Sequence, residues 1–345
     1  MSSETQLSLS RRTIIAGAGG LALAASLGPR LTRAATTKAS LALDWYPNAD
    51  HAGLFLANER AYFAASGIDL NIYTPSDATT VLQTVGAGKD DFGISYQTDV
   101  LLARAQGVPV VSIGALVQHP LVVIMSLVEK KIERPRDLVG KAVGYPGIAS
   151  QEAFLATMLE ADGAKLSDVE LVNVDFNLIP AVLSGQVDAV MGAFRNVETI
   201  IAEQEGHAVN SMPVEKWGVP DYYELVLVAS EATIAKRSSF VTAFLGAVQK
   251  GFSDAIADPS AALGALAAAS PELDKVVAEK GIEFLIPDWK SASPAFGAQS
   301  PERWSGYADW MKSRQLIPAG LDANAAFTTT LLPIPAGTPV ATPAG

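Results

Sequence analysis

From Ala39 onward, short apolar runs alternate with segments whose apolar residues recur every three or four positions. Ser40–Asp44 reads as a strand. His51–Ser66 places Leu54, Phe55, Asn58, Tyr62 and Ala65 at three-to-four spacing, which is a helical period. The pattern predicts further strands over Ile68–Tyr73, Asp91–Tyr96, Val108–Ala115, Leu121–Leu127, Val139–Tyr145, Val169–Val174, Val187–Gly192 and Leu225–Ala229. Between them it predicts helices over Asp77–Gly86, with Asp77 as N-cap, over Asp99–Gln106, closed by Gly107, and over Ser150–Asp162, ending at Gly163. Ala181–Ser184 and Val197–Glu205 also lie on predicted helices. Such a βα succession predicts an α/β protein with a mostly parallel sheet. The remainder is helical over Ala232–Ala257, Ala261–Ala269 and Pro301–Arg314, with no sequence repeat.

The two ends read differently. Residues 7–35 (LSLSRRTIIAGAGGLALAASLGPRLTRAA) carry Arg11 and Arg12, an apolar run from Ile14 to Leu27 and a small-residue zone near Ala34. This is the order of a cleaved export signal of the twin-arginine type. The run is shorter than the about 20 apolar residues a span requires. A periplasmic protein without residues 1–34 is therefore expected. Leu332–Gly345 holds four Pro among Ala, Thr and Gly, and is expected to be a disordered tail.

Composition narrows the chemistry. None of the 345 residues is Cys, which excludes a disulfide scaffold, a thiolate zinc site and a cysteine nucleophile. The formal charge is −11, and residues 1–34 carry four Arg and one Glu, so the remaining chain stands at −14. That acidity argues against a nucleic-acid partner, which needs a basic footprint. Three His are present, His51, His119 and His207, with neither HxxxH nor HExxH spacing, so no metal is expected. There is no G-x-S-x-G elbow and no phosphate-cradling G-x-x-x-x-G-K-[ST] loop, and the glycine-rich stretch Gly17–Gly20 belongs to the expected signal. No catalytic residue and no cofactor is assigned.

Ligands in open parallel sheets sit beyond the carboxyl ends of strands. There the chain places Asp44, Trp45, Asn48 and His51, then Tyr96, then Tyr145, then Arg195 and Glu198. Tyr222 and Glu224 precede the last strand. Flat aromatic side chains beside carboxylates suit a flat heterocycle that stacks and donates hydrogen bonds. Each residue also has a plain structural reading. Trp45 could be a core residue, Asp44 a cap and His51 a helix-start residue. Tyr145 could belong only to a turn with Pro146 and Gly147. Arg195 could pair with Glu198 or Glu224, and Glu198 could simply complement a helix dipole.

The segment Leu43-Asp44-Trp45-Tyr46-Pro47-Asn48-Ala49-Asp50-His51-Ala52-Gly53 resembles the thiamine-precursor pyrimidine-binding proteins, a family shared with the yeast-type thiamine pyrimidine synthases. Gly144-Tyr145-Pro146-Gly147-Ile148, Gly192 through Glu198, and Tyr222-Tyr223-Glu224-Leu225 agree with it, and the likeness runs over about residues 38–318. It implies a type II periplasmic-binding-protein fold, with two α/β lobes joined by crossing strands. Lobe 1 would comprise residues 36–124 and 229–330, and lobe 2 residues 125–228. Leu121–Leu127 and Leu225–Ala229 would be the crossings. It further implies a monomeric solute receptor that delivers an aminopyrimidine to an ABC permease and ATPase. Trp45 and Tyr222 would stack the ring, Glu198 would grip it, and Asp44, Asn48 and His51 would line the first-lobe wall. Relatives of this kind also bind riboflavin or sulfonates such as taurine. An anion binder would need basic groups, and Arg195 is the only one in these clusters. The synthases use a cysteine-rich segment that this chain lacks.

Overall fold

The computed structural model describes residues Thr36 to Pro333 except Phe176. The export signal expected over 1–34 lies outside the described residues, as does all of the expected tail but Leu332 and Pro333. Those two are packed: Leu332 lies against Gly297, and the Pro333 carbonyl accepts from Gln249 Nε2 at 3.0 Å.

The described residues contain ten strands: β1 (Thr37–Ala42), β2 (Ile68–Tyr73), β3 (Phe92–Ser95), β4 (Val110–Val117), β5 (Val122–Leu127), β6 (Ala142–Tyr145), β7 (Glu170–Asn173), β8 (Ala189–Phe194), β9 (Val209–Pro213) and β10 (Leu225–Ser230). They form two five-stranded sheets with the same plan, β2-β1-β3-β10-β4 and β7-β6-β8-β5-β9. Parallel pairs β1–β2 and β1–β3 are mirrored by β6–β7 and β6–β8. Against the mostly parallel expectation, each sheet carries one reversed strand. β10 is antiparallel to β3 and β4, and β5 is antiparallel to β8 and β9. The reversed strands are those the chain enters from the other sheet, so no helical crossover is required to reach them.

Neither reversed strand spans both sheets. The chain leaves the first sheet after Val117 and enters the second at Val122. It leaves the second after Pro213 and re-enters the first at Leu225, directly opposite Val117. The crossings are therefore residues 118–121 and 214–224, N-terminal to the boundaries expected from the apolar runs. β4, β5 and β10 are buried along their whole length, which is why they read as continuous apolar runs.

The apolar pattern located most elements within a few residues and failed where local chemistry intervenes. The helix expected over 51–66 splits into Ala52–Glu59 and Tyr62–Ala65, because Ala61 adopts a left-handed φ of 56°. β9 was not anticipated: it is an edge strand, polar in part and ending in Pro. The helix Lys275–Ser291 was missed because Pro287 interrupts its pattern.

The first sheet is covered on one face by helices Ala52–Glu59, Ser238–Ala257 and Lys275–Ser291, with Phe92 stacked on Phe244 at 3.8 Å. Helices Ala52–Glu59 and Ser238–Ala257 approach through glycine. A Cβ on Gly53 would lie 2.5 Å from the Phe252 ring, and one on Gly251 would strike the Gly53 carbonyl. Gly53 in the sequence motif is thus a packing residue.

Candidate functional site

A cavity of about 750 Å³ opens between the two sheets, lined from both. The first sheet contributes the loop after β1, the end of β3 and the start of helix Gln97–Ala105. The second contributes residues around Pro146, helix Ala149–Ala161, the end of β8 and helix Glu198–Gln204. The second crossing reaches it through Tyr222 and Glu224, and the start of β5 through Val122. The volume lies within the range of small-molecule sites.

The loop after β1 organises the first wall. Asn48 Oδ1 accepts from the Asp50 amide at 2.9 Å and starts the turn Ala49–His51, while the Asn48 amide donates back to His51 Nδ1 at 3.3 Å. With Nδ1 accepting, the His51 proton sits on Nε2, which donates to Asp44 Oδ1 at 2.9 Å. The Tyr96 hydroxyl donates to the other oxygen, Asp44 Oδ2, at 2.8 Å. Asp44 is thereby fixed by two donors and presented to the cavity. His51 itself is 0% exposed and does not line it; it acts on the wall through Asp44. Trp45 and Tyr46 stand at the mouth, 39% and 70% exposed, with ring centroids 6.0 Å apart edge to face.

The second wall carries Glu198 on the first turn of its helix. Its Oε2 accepts from the Phe194 amide at 2.7 Å, and burial pushes its carboxyl above the usual range. Beside it, Gln151 lies over Gly192, whose φ is +102°. A Cβ there would sit 2.8 Å from Gln151 Cδ and closer still to its Oε1. Only glycine leaves the backbone and the amide in these positions. Gln151 Oε1 is buried without a hydrogen-bond partner among the described residues.

At the back of the cavity Glu224 Oε2 accepts from the amides of Leu121 at 2.6 Å and Val122 at 3.4 Å, and from the Tyr222 hydroxyl at 3.1 Å. Burial pushes Glu224 up to about 7. Asp50 is held by Asn196 Nδ2 at 2.9 Å and is likewise pushed by burial to about 7. Asp99 rises to about 6, from burial and then from the neighbouring Asp44 charge.

Seven of the ten residues singled out from sequence line this cavity: Asp44, Trp45, Asn48, Tyr96, Glu198, Tyr222 and Glu224. His51 stands behind Asp44. Tyr145 and Arg195 are not among the lining residues. Tyr145, at the end of β6, packs against the core, and its neighbours Pro146 and Ile148 face the cavity instead. Arg195 turns to a second space of about 550 Å³, where it donates to the Pro120 carbonyl and lies 3.5 Å from Glu215. It pairs with neither Glu198 nor Glu224. Tyr222 reaches the cavity from inside an aromatic cluster. It is 1% exposed, with Phe154 and Tyr307 at 5.6 and 4.8 Å, whereas Trp45 and Tyr46 line the cavity at its exposed mouth. Sequence reading missed Asp50, Asp99, Gln151, Phe154 and Asn196. Asp50 and Asn196 stood inside the quoted motifs, whereas Gln151 and Phe154 face the cavity only because helix Ala149–Ala161 turns that way.

Comparison with known proteins places these features. A family model described as NMT1/THI5 like matches residues 48–262. The formylaminopyrimidine-binding protein of Halalkalibacterium halodurans is 36% identical over 291 residues, covering 83% of this chain and 88% of that protein. The 4-amino-5-hydroxymethyl-2-methylpyrimidine phosphate synthase of Schizosaccharomyces pombe is 27% identical over 233 residues, 65% of this chain and 67% of its own. Among solved structures, the periplasmic aliphatic sulphonate binding protein of Escherichia coli superposes with a TM-score of 0.69 at 16% identity, over 85% of this chain and 97% of that one. The last likeness establishes the two-lobed periplasmic-binding-protein fold. With the family match spanning most of the two sheets and the bacterial relative agreeing along most of its length, the chain belongs to the NMT1/THI5-like family.

Proposed function

We propose that this chain is the extracytoplasmic solute receptor of an ABC importer, and that its ligand is a thiamine-precursor aminopyrimidine. The observation that carries the reading is the lining of the main cavity, with carboxylates and aromatic rings on both walls and, among the described residues, no Lys, Arg or His. A sulfonate or nitrate receptor would need cationic donors there. The relative named for formylaminopyrimidine supports the ligand class.

In this reading Trp45 stacks on the ring, and the Glu198 carboxylate accepts from the exocyclic amine and ring edge. Asp44, Asn48 and Tyr96 form the facing wall, and Tyr222 and Glu224 close the back. His51 positions Asp44. The ligand bridges both walls, so it favours the closed arrangement, which the permease and ATPase recognise. The twin-arginine signal over residues 1–34 and a monomeric state belong to the same proposal. The ligand leaves unchanged, because the role is binding and not turnover.

Calorimetric titration of the chain from about Ala35 tests this. N-formyl-4-amino-5-aminomethyl-2-methylpyrimidine should bind one-to-one and be recovered intact. Heat only with riboflavin or taurine would replace the ligand, and a converted product would replace the role.

A further inference from the structure

We propose that the second space, behind the crossings, is a counter-cleft. It narrows as the ligand cavity opens, so the side chains lining it set ligand affinity without touching ligand. The titrant below rests on the aminopyrimidine reading, whereas the geometry does not.

The two spaces lie on opposite faces of the same crossings. From the first crossing His119 and Leu121 line the second space, and the next residue, Val122, lines the ligand cavity. From the second crossing Asp221 lines the second space, and Tyr222 and Glu224 line the ligand cavity. Like the ligand cavity, the second space has one wall from each side. Phe284, Asp288 and Ser291 come from helix Lys275–Ser291 over the first sheet, and Arg195, Glu215 and Lys216 from the side of the second. A rotation about the crossings that widens one space therefore narrows the other.

The crossings are tethered so that such a rotation has a defined place. The Gln118 and His119 amides donate to Asp288 Oδ2 and Oδ1 at 2.9 and 3.0 Å, and the Gln118 carbonyl accepts from Arg303. These two residues are fixed to the helices that follow β10. The next two carbonyls are held from the other side. Pro120 accepts from the Arg195 guanidinium, and Leu121 from the Arg195 amide at 3.0 Å. The break falls between His119 and Pro120. In the second crossing Gly218 lies against Thr157 and Ala161 of helix Ala149–Ala161. Asp221 is held by Arg303 at 2.9 Å, and the Tyr223 amide donates to Gln97 Oε1 at 2.7 Å. There the break falls between 218 and 221.

Two lining residues bias the second space in opposite senses. Lys216 is exposed and has no acidic partner among the described residues. Two carboxylates line the same space. Asp221 is already shared by His119 and Arg303, but Asp288 meets only backbone amides among the described residues. Narrowing brings the free cation toward Asp288, which favours an open ligand cavity. Phe284 does the reverse. It is 41% exposed, and the Arg195 guanidinium stands 5.7 Å from its ring centroid on the far side. The ring is a spacer that limits how closely the walls approach. Apparent affinity scales with the fraction of molecules able to close on ligand, so both residues reach the ligand through that fraction.

The wild-type chain and three variants are titrated calorimetrically at about pH 8, where Asp288, pushed by burial to about 6, is ionised. The titrant is N-formyl-4-amino-5-aminomethyl-2-methylpyrimidine, which is neutral, so salt acts on the protein and not on the ligand. Ser291→Trp fills the second space and Lys216→Glu sets a carboxylate against Asp288; each should tighten binding about three-fold or more. Phe284→Ala removes the spacer and should weaken binding about three-fold or more. The Lys216→Glu gain should vanish in about 0.5 M salt, while the Ser291→Trp gain persists. Small-angle X-ray scattering of the ligand-free chains gives a second reading, with Ser291→Trp more compact than the wild type and Phe284→Ala more extended. Any of the three variants binding as the wild type does, a weakened Ser291→Trp, or a Lys216→Glu gain that survives the salt overturns the inference and leaves the pyrimidine reading standing. If no chain binds the titrant, the pyrimidine reading falls and scattering alone decides. Opposite shifts for Ser291→Trp and Phe284→Ala then uphold the inference, and equal or absent shifts overturn it.

Discussion

Replacing Gly192 by alanine probes the second wall at one point, and its cost can be built from two independent parts. The residue holds φ at +102°, outside the right-handed and extended regions open to L-residues, so any Cβ strains the backbone by about 1–2 kcal/mol. The new Cβ also falls within 2.8 Å of Gln151 Cδ, so the amide must leave its seat over β8. The amide is the far end of a flexible side chain, so moving it costs little in stability. It would move within the cavity wall, however, taking an acceptor from the ligand, a loss of about 1 kcal/mol. Gly192→Ala should therefore lower the melting temperature by several degrees without ligand and weaken ligand binding about five-fold or more. Differential scanning fluorimetry reads the first and calorimetry the second. The double variant with Gln151→Ala separates the parts, since it removes the clash but not the strain, and should melt as low as Gly192→Ala alone. Full thermal recovery in the double variant would refute the backbone argument. A Gly192→Ala protein with wild-type melting and binding would refute both.

Other outcomes follow from the same geometry. Trp45→Ala and Glu198→Ala should each weaken aminopyrimidine binding about ten-fold or more. Arg195→Ala should leave affinity within about three-fold in the same titrations, because its guanidinium serves Pro120 and Glu215. Gly53→Ala should destabilise the fold by about 1–3 kcal/mol through overpacking against Phe252, read by chemical denaturation, with little change in affinity once folded. The ligand-free protein should lose stability as pH rises from about 4 to 7. Asp50, Asp99 and Glu224 titrate higher folded than unfolded, so the native state holds more protons across that window, and stability falls until they ionise. His119, raised by Asp221, acts in the same direction through loss of its bonded cation. Melting temperatures across that range should fall, and Asp50→Asn should flatten the slope.

The α/β class and nearly every strand were legible because core strands here are apolar throughout. The crossings were not, because a fully buried strand looks the same whether it lies inside one sheet or between two. Asp44, Trp45 and Glu198 could be found by their place after strands, and the structure brings them to one cavity. The relation between Asp44 and His51 was hidden, since it depends on a reciprocal Asn48–His51 turn that folds the ring beneath the loop. Arg195 shows the limit of position along the chain. It follows β8 as Glu198 does, yet its side chain leaves by the opposite side of the turn, where Glu215 and the Pro120 carbonyl wait. Gln151 carried no sequence signal of its own. Its seat is set by the glycine beneath it, forty-one residues on.

The pairing of Val117 with Leu225 has a consequence for how such a chain is assembled. β4 and β10 are antiparallel neighbours with their ends in register, so everything from 118 to 224 occupies the place of a hairpin loop. The second sheet is a guest inside a turn of the first. Closure entropy grows only with the logarithm of loop length, so a host strand pair tolerates a folded guest far better than its length suggests. The guest's own ends are already close, which removes most of even that penalty once it has folded. The order of folding then follows from topology: during synthesis β10 emerges last of the ten strands and is interior to the host sheet, so the host completes itself around a finished guest. One binding wall is accordingly inserted through two short crossings, and the contacts that tie it to the host, such as Asn196 to Asp50 and Arg314 to Glu160, form around them.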